Sequence, residues 1–315
     1  MPPPLPPGIA PDLASLIRLQ HAARGFSFQP GQPVRSLLAG RRASRIRGRG
    51  LSFEEIRAYR PGDDVRMMDW RATARTGRAQ TRVFTEERDR PVLLVVELTP
   101  AMFFGTVRAV KSVVAAEAAA LAAWRCLAGG DRIGAVLFGD DGVETLRPTR
   151  SRVAVMRLLD SMVRRAARLT QTPPSPASSA PLNAALAQAE ALAPHGTLVV
   201  VVFDLLSADA GTAAAARRIA RHNDIVAIPI SDPLERQLPD APWHGIATDG
   251  GGFSVLDPAS SGLGPAIATG FAQRLARLNA AGQRSETPVL PLGTEADTAD
   301  QLRRQLGRQV RGRRS

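Results

Sequence analysis

From Pro91 onward, short apolar runs alternate with longer stretches of helical period. Val92–Glu97 and Thr197–Phe203 are nearly continuous apolar runs of strand length, the pattern of strands covered on both faces. Arg132–Phe138 and Ile225–Ile230 read the same way, and Val289–Leu292 as a last short strand. Gly139–Gly142 is a hairpin turn into a strand at 143–146. Between the strands the period becomes 3.6 residues. An Ala-rich helix is predicted from Val107 to Leu127, stopped by Gly129-Gly130. Further helices are expected over 153–163, 182–192 and 208–222. Phe271, Leu275 and Leu278 share one helix face, and Leu302, Leu306 and Val310 mark a terminal amphipathic helix.

Ahead of this region the pattern differs. Residues 1–11 are proline-rich and read as disordered or extended, and Asp12 is placed to cap a short helix carrying Leu13, Leu16, Ile17 and Leu19. Residues 25–50 are rich in Gly, Arg and Ser and show no period. Strand-like runs then appear at Phe53–Tyr59, Arg66–Thr73 and Gln80–Glu86, with turns at Pro61-Gly62-Asp63-Asp64 and Thr76-Gly77. Three segments result: 1–30, a Pro-rich start and short helix; 31–90, a basic segment and small β-rich module; and 91–315, an α/β domain. Alternating strands and helices predict a mostly parallel, Rossmann-type sheet with helices on both faces, and Val92–Glu97 and Thr197–Phe203 are expected side by side at its centre. Ligands of such sheets sit beyond the carboxyl ends of the strands, which directs attention to the loops at 97–105, 170–181 and 204–208.

Composition narrows the chemistry. Aromatic residues are 4% of the 315, so the core is built from Val, Leu, Ile and Ala. The net charge is +12 and the basic residues are almost all arginine, Lys111 being the only lysine. Two arginine clusters, Arg35–Arg49 and Arg303–Arg314, raise a nucleic-acid-binding alternative, against which stands the scarcity of aromatic residues for base stacking near them. The single cysteine, Cys126, lies in the Ala-rich helix and reads as a buried thiol, and His21, His195, His222 and His244 lack metal-ligand spacing. No GxSxG elbow or P-loop is present, and Gly250-Gly251-Gly252 lacks the downstream Lys of a phosphate loop. No catalytic residue is assigned. The N-terminal residues do not have the pattern of a signal peptide and no apolar run is long enough to span a bilayer, so a cytoplasmic location is expected, with no transmembrane segment.

The segment GRGLSFEEIRAYRPGDDVRMMDWRATARTG, residues 48–77, resembles the signature of the bacterial "domain of unknown function 58" family, and ISDPLERQLP, residues 230–239, resembles it as well. The likeness implies a von Willebrand factor A-like domain and an association with MoxR-type AAA+ ATPases. Domains of that type carry a metal-ion-dependent adhesion site: Asp-x-Ser-x-Ser after the first strand, a Thr or Ser from a second loop and an Asp from a third, together holding Mg²⁺ through hard oxygen ligands. Here the first loop reads Glu97-Leu98-Thr99-Pro100-Ala101. Glu97 is one methylene too long and Ala101 has no hydroxyl. Thr99 keeps its hydroxyl, Ser178 or Ser179 is the candidate from the second loop, and Asp204 matches the third position. The resemblance therefore implies a degenerate site with no resident cofactor, retaining at most weak Mg²⁺ binding. Glu97, Thr99, Ser179 and Asp204 are expected to form a partner-binding face, with Glu97 and Asp204 pairing with an arginine of this chain or of a partner, or else capping nearby loops. The leading reading is a non-catalytic adaptor binding other proteins. The alternatives are a metal- or carboxylate-dependent hydrolase and a nucleic-acid-binding module.

Overall fold

The structure, a computed structural model, describes residues 6, 8–23, 51–61, 63–86, 91–173, 175–238, 245–248, 253–256 and 263–312. The chain divides into two compact units: residues 32–89, and residues 90–315 together with 1–31. The first helix, α1 (Leu13–Ala22), belongs to the larger unit and is capped by Asp12, whose carboxylate accepts from Ser15 N at 2.8 Å.

The small unit is an antiparallel pair, β1 (Leu51–Ala58) and β2 (Gln80–Glu86), joined through a 3₁₀ turn at Val65–Met67 and a short helix, α2 (Trp70–Thr76). The strand expected over Arg66–Thr73 is therefore corrected to helical turns. The reason is capping: Asp64 accepts from Arg66 N at 3.0 Å and Asp69 from Ala72 N at 2.9 Å, so two helical turns start where alternation alone reads as a strand. Gly77, at φ 67°, closes α2 in the left-handed conformation. Among the described residues, two ion pairs tie this unit's elements to one another. Arg57 grips Asp63 with both terminal guanidinium nitrogens at 2.8 and 2.9 Å, and Arg82 reaches Asp69 at 2.8 Å.

The large unit is built on a six-stranded sheet. Its strands are β3 (Pro91–Glu97), β4 (Arg132–Gly139), β5 (Gly142–Thr149), β6 (Leu198–Asp204), β7 (Asp224–Ser231) and the two-residue β10 (Leu292–Gly293), and their order is β10-β7-β6-β3-β4-β5. All neighbours are parallel except the β4–β5 hairpin at one edge. A separate pair, β8 (Gly245–Thr248) and β9 (Phe253–Leu256), is antiparallel. As expected, β3 and β6 are central neighbours. The last strand is shorter than 289–292 because Pro288 and Pro291 have no N–H for a ladder; Val289 makes only an isolated bridge to Ala227.

Alternation along each strand splits the core into two layers. Val92, Leu94 and Val96 of β3, with Val200 and Val202 of β6, face one layer. Leu93 and Val95, with Val199, Val201 and Phe203, face the other. The first layer is covered by α3 (Lys111–Ala128), α4 (Arg152–Leu169), α1 and the start of α9 (Thr298–Gly312); the second by α5 (Ser179–Leu192) and α6 (Ala210–Ala220). Helix α3 is buried on almost every side, Cys126 included, and its alanines let it lie between the sheet and outer helices. Trp124 fixes α1 from there, its indole N–H donating to the Leu16 carbonyl at 2.9 Å. Helix α3 starts at 111 and not 107, because residues 103–110 form a loop in which Lys111 N donates to Phe104 O and Val110 N to Gly8 O. That contact also gives residues near Gly8 a defined turn where the prolines predict an unstructured start. Gly8 sits at φ 87°, and a Cβ there would stand 2.3 Å from the Arg108 carbonyl. The short helix α7 (Pro233–Arg236) follows β7, and α8 (Leu263–Arg284) is the longest helix.

Candidate functional site

The chain leaves β3 toward β4 on one side and returns to β6 on the other, so the topological switch point lies between β3 and β6. Glu97 ends β3 and Asp204 ends β6, and both side chains are fully buried there. Glu97 is held by three donors. Thr99 and Ser207 give their hydroxyl hydrogens to Oε1, each at 2.8 Å, and the Asp204 backbone N–H donates to Oε2 at 2.9 Å. Asp204 caps the turn that follows it, accepting from Leu206 N at 2.9 Å. Its other oxygen, Oδ2, accepts from the ammonium of Lys111 at 2.6 Å.

Lys111, the first residue of α3, is the centre of the arrangement. Its side chain is 2% exposed, and Nζ also donates to Glu235 of α7 at 2.7 Å. The Phe104 ring lies over the ammonium, 5.7 Å from Nζ to its centroid. Three segments far apart in sequence thus meet on one cation: the start of α3, the end of β6 and the turn after β7.

Asp232 ties the same edge together from the β7 side. Fully buried, it accepts from Thr106 N at 2.9 Å, from the Thr106 hydroxyl at 2.6 Å and from the Thr294 hydroxyl, and it caps α7 through Leu234 N. Glu235 closes a capping box by accepting from Asp232 N at 2.9 Å. Arg236 reaches across to Glu295 at 3.1 Å. The turn from Asp232 to Arg236 is therefore the third wall of the site.

Electrostatics follow from this packing. Burial, with the Asp204 carboxylate beside it, pushes Glu97 up to about 7, against the hydrogen bonds that favour its ionised form. Burial acts against the charge of Lys111, but Asp204 and Glu235 more than offset it and hold the ammonium above the ordinary lysine range. Burial raises Glu235, opposed by Lys111. Asp232 is lowered: its burial is outweighed by the hydroxyls of Thr106 and Thr294 and by backbone N–H groups.

Of the residues expected to form the site, Glu97, Thr99 and Asp204 come together. Ser179 does not join their hydrogen bonds; its hydroxyl bonds Asp209, whose acidity it helps to increase along with Thr212 N and Asn183. Ser178 caps α5 through Ala180 N. Ala101 lies in the 3₁₀ turn at Pro100–Met102 and supplies no ligand. The cation paired with Asp204 is a lysine of this chain, where an arginine is expected from the sequence. The oxygens present do not fit a divalent ion. Both oxygens of Glu97 accept from protein donors, Oδ2 of Asp204 faces an ammonium, and one hydroxyl ligand is missing. Among the described residues, no group of three or more His, Cys, Asp or Glu is placed to hold a metal. Sequence reasoning missed Lys111, Ser207, Asp232 and Glu235 as members of the site. Two signals were available: Lys111 is the single lysine among 41 basic residues, and Asp232 and Glu235 lie in the family-like segment 230–239.

Six strands in this order, with an antiparallel edge and a degenerate cation site at the switch point, define a von Willebrand factor A-like domain. The chain belongs to the family described as "Protein of unknown function DUF58", whose model matches residues 55–249. An uncharacterized protein of Mycobacterium bovis and two of Mycobacterium tuberculosis strains are each 29% identical over 305 residues, covering 94% of this chain and 91% of the relative. Similar solved structures include the conserved hypothetical protein BatB from Bacteroides thetaiotaomicron (TM-score 0.44, 14% identity, covering 70% of this chain and 99% of the other). A von Willebrand factor type A protein from Catenulispora acidiphila is another (TM-score 0.36, 12% identity, covering 73% of this chain and 44% of the other). Among the described residues, no helix is long and apolar enough to cross a membrane.

Proposed function

We propose that this chain is a non-catalytic protein-interaction module whose docking face is the carboxyl edge of the large sheet. The observation that carries the reading is the contrast at that edge. Glu97, Asp204 and Lys111 are buried and satisfied by the chain's own groups, while the loop in front of them exposes Val107 (66%) and Phe104 (38%). A general acid or base must reach its substrate's proton, and these carboxylates face inward. In this reading Glu97, Thr99 and Asp204 shape the face from beneath, and Ser179, through Asp209, steadies its border at the start of α5. The small unit supplies a second contact within its family-matching segment. Trp70, an anchor type enriched in binding hot spots, is 68% exposed, with Val65, Met67 and Ile56 also exposed.

The partner of this reading is a MoxR-type AAA+ ATPase met in the cytoplasm, which rests on the family resemblance. The test is capture of purified MoxR-type ATPase from the same genome by immobilised chain, with variants Val107→Asp and Trp70→Ala. Capture by the unmodified chain, weakened about tenfold or more by either variant with melting temperature preserved, supports the reading; tenfold is about 1.4 kcal/mol. No capture by the unmodified chain refutes the ATPase as partner, and equal capture by all three proteins refutes these surfaces.

A further inference from the structure

We infer that the Lys111 ammonium is a tethered substitute for the divalent cation of a von Willebrand A-type site, so that this face is assembled permanently and without metal. The inference is independent of the partner reading, because it concerns what holds the edge together and not what binds to it.

Position is the first argument. Asp204 stands where the third loop of such a site contributes its metal ligand, and its outer oxygen meets Nζ at 2.6 Å. Burial is the second. The ammonium is 2% exposed and is shared with Glu235 at 2.7 Å, which leaves no solvent-facing position for a hydrated ion to enter beside it. Connectivity is the third: the cation joins α3, β6 and α7, the tie that a bound ion makes between loops.

The fourth argument is residue type. The chain carries 41 basic residues and uses arginine at every position but one. A guanidinium is a planar fork with charge spread over three nitrogens. An ammonium is a compact point charge with three donors, the closest that a side chain comes to a small metal ion. Here two donors meet carboxylates and the Phe104 ring covers the charge from another side. Burial and the neighbouring Asp204 also push Glu97 toward its neutral form, which lessens the negative charge beside Lys111.

Removing the ammonium leaves Asp204 and Glu235 buried and facing each other across its place, and a small divalent ion can then neutralise them. The experiment compares the unmodified chain, Lys111→Ala, and Lys111→Ala/Asp204→Asn in EDTA and in millimolar Mn²⁺. Melting is followed by circular dichroism and Mn²⁺ uptake by loss of the free-ion paramagnetic resonance signal. The unmodified chain is expected to melt at the same temperature in both buffers and to take up no stoichiometric Mn²⁺. Lys111→Ala is expected to melt lower in EDTA, or to be unfolded there, and to recover in Mn²⁺ with uptake of about one ion per chain; the double variant is expected to lose that recovery. Stoichiometric Mn²⁺ uptake by the unmodified chain overturns the inference. So does a Lys111→Ala chain, folded or unfolded, to which Mn²⁺ brings neither uptake nor stability. Lys111→Arg is expected to melt below the unmodified chain despite keeping the charge; equal melting overturns the argument from residue type.

Discussion

Glu97→Gln is expected to remove a pH dependence from the stability of the large unit. Glu97 has an ordinary value of 4.5 and is pushed to about 7 in the fold by burial and by Asp204. The folded chain thus holds this proton more tightly than the unfolded chain does. Well below pH 4.5 the group is protonated in both states and contributes no difference. As pH rises past 4.5 the unfolded chain ionises first, and stability falls until the folded group has also ionised, a little above pH 7. The total loss is on the order of 3 kcal/mol, since each pH unit of such a window is about 1.4 kcal/mol. Glutamine fits the same contacts: its carbonyl can accept from Asp204 N, and its amide can donate to the hydroxyl oxygens of Thr99 and Ser207. Guanidinium unfolding of both proteins across pH 5–9 checks this. The unmodified chain should lose stability relative to Glu97→Gln as pH rises, with most of the change below about pH 8. Parallel curves, or an unmodified chain that gains stability relative to Glu97→Gln as pH rises, would show that the fold does not raise Glu97.

Asp204→Ala should destabilise the large unit by roughly 3–5 kcal/mol, because it strands one side of a buried ion pair, and thermal melting reads this directly; a melting temperature within a degree of the unmodified chain would contradict the pairing. Leu16→Ala should cost about 2–5 kcal/mol by opening a cavity between α1 and α3, measured by the denaturation midpoint. In contrast Trp70→Ala, at an exposed position, should change stability by no more than about 0.5 kcal/mol in the same assay.

The strand core of this fold was legible because burial on both faces writes itself as continuous apolar runs. Val92–Glu97 and Thr197–Phe203 could be placed at the sheet centre on that ground. The switch-point rule then located Glu97 and Asp204 as neighbours although they are 107 positions apart. What the sequence hid is long-range and polar. Lys111 falls inside the Ala-rich helix predicted from Val107, and periodicity says nothing about a charge buried at a helix start. Glu235 lies in the family-like segment 230–239, but only the fold brings it to Lys111. Arg66–Thr73 shows the opposite failure: the alternation there is compatible with a strand, and two local caps, Asp64 and Asp69, decide otherwise.

One buried ammonium closes the site, and the sequence offers a direct view of it. Because Lys111 is the only lysine, protein labelled with ¹⁵N-lysine carries a single side-chain amine nitrogen. Nuclear magnetic resonance should give one Nζ signal of a charged, slowly exchanging ammonium that persists above the ordinary lysine value of 10.5 and is unmoved by EDTA or Mg²⁺. A rapidly exchanging signal that titrates at the ordinary value, or one that shifts saturably with Mg²⁺, would contradict a site closed by its own lysine.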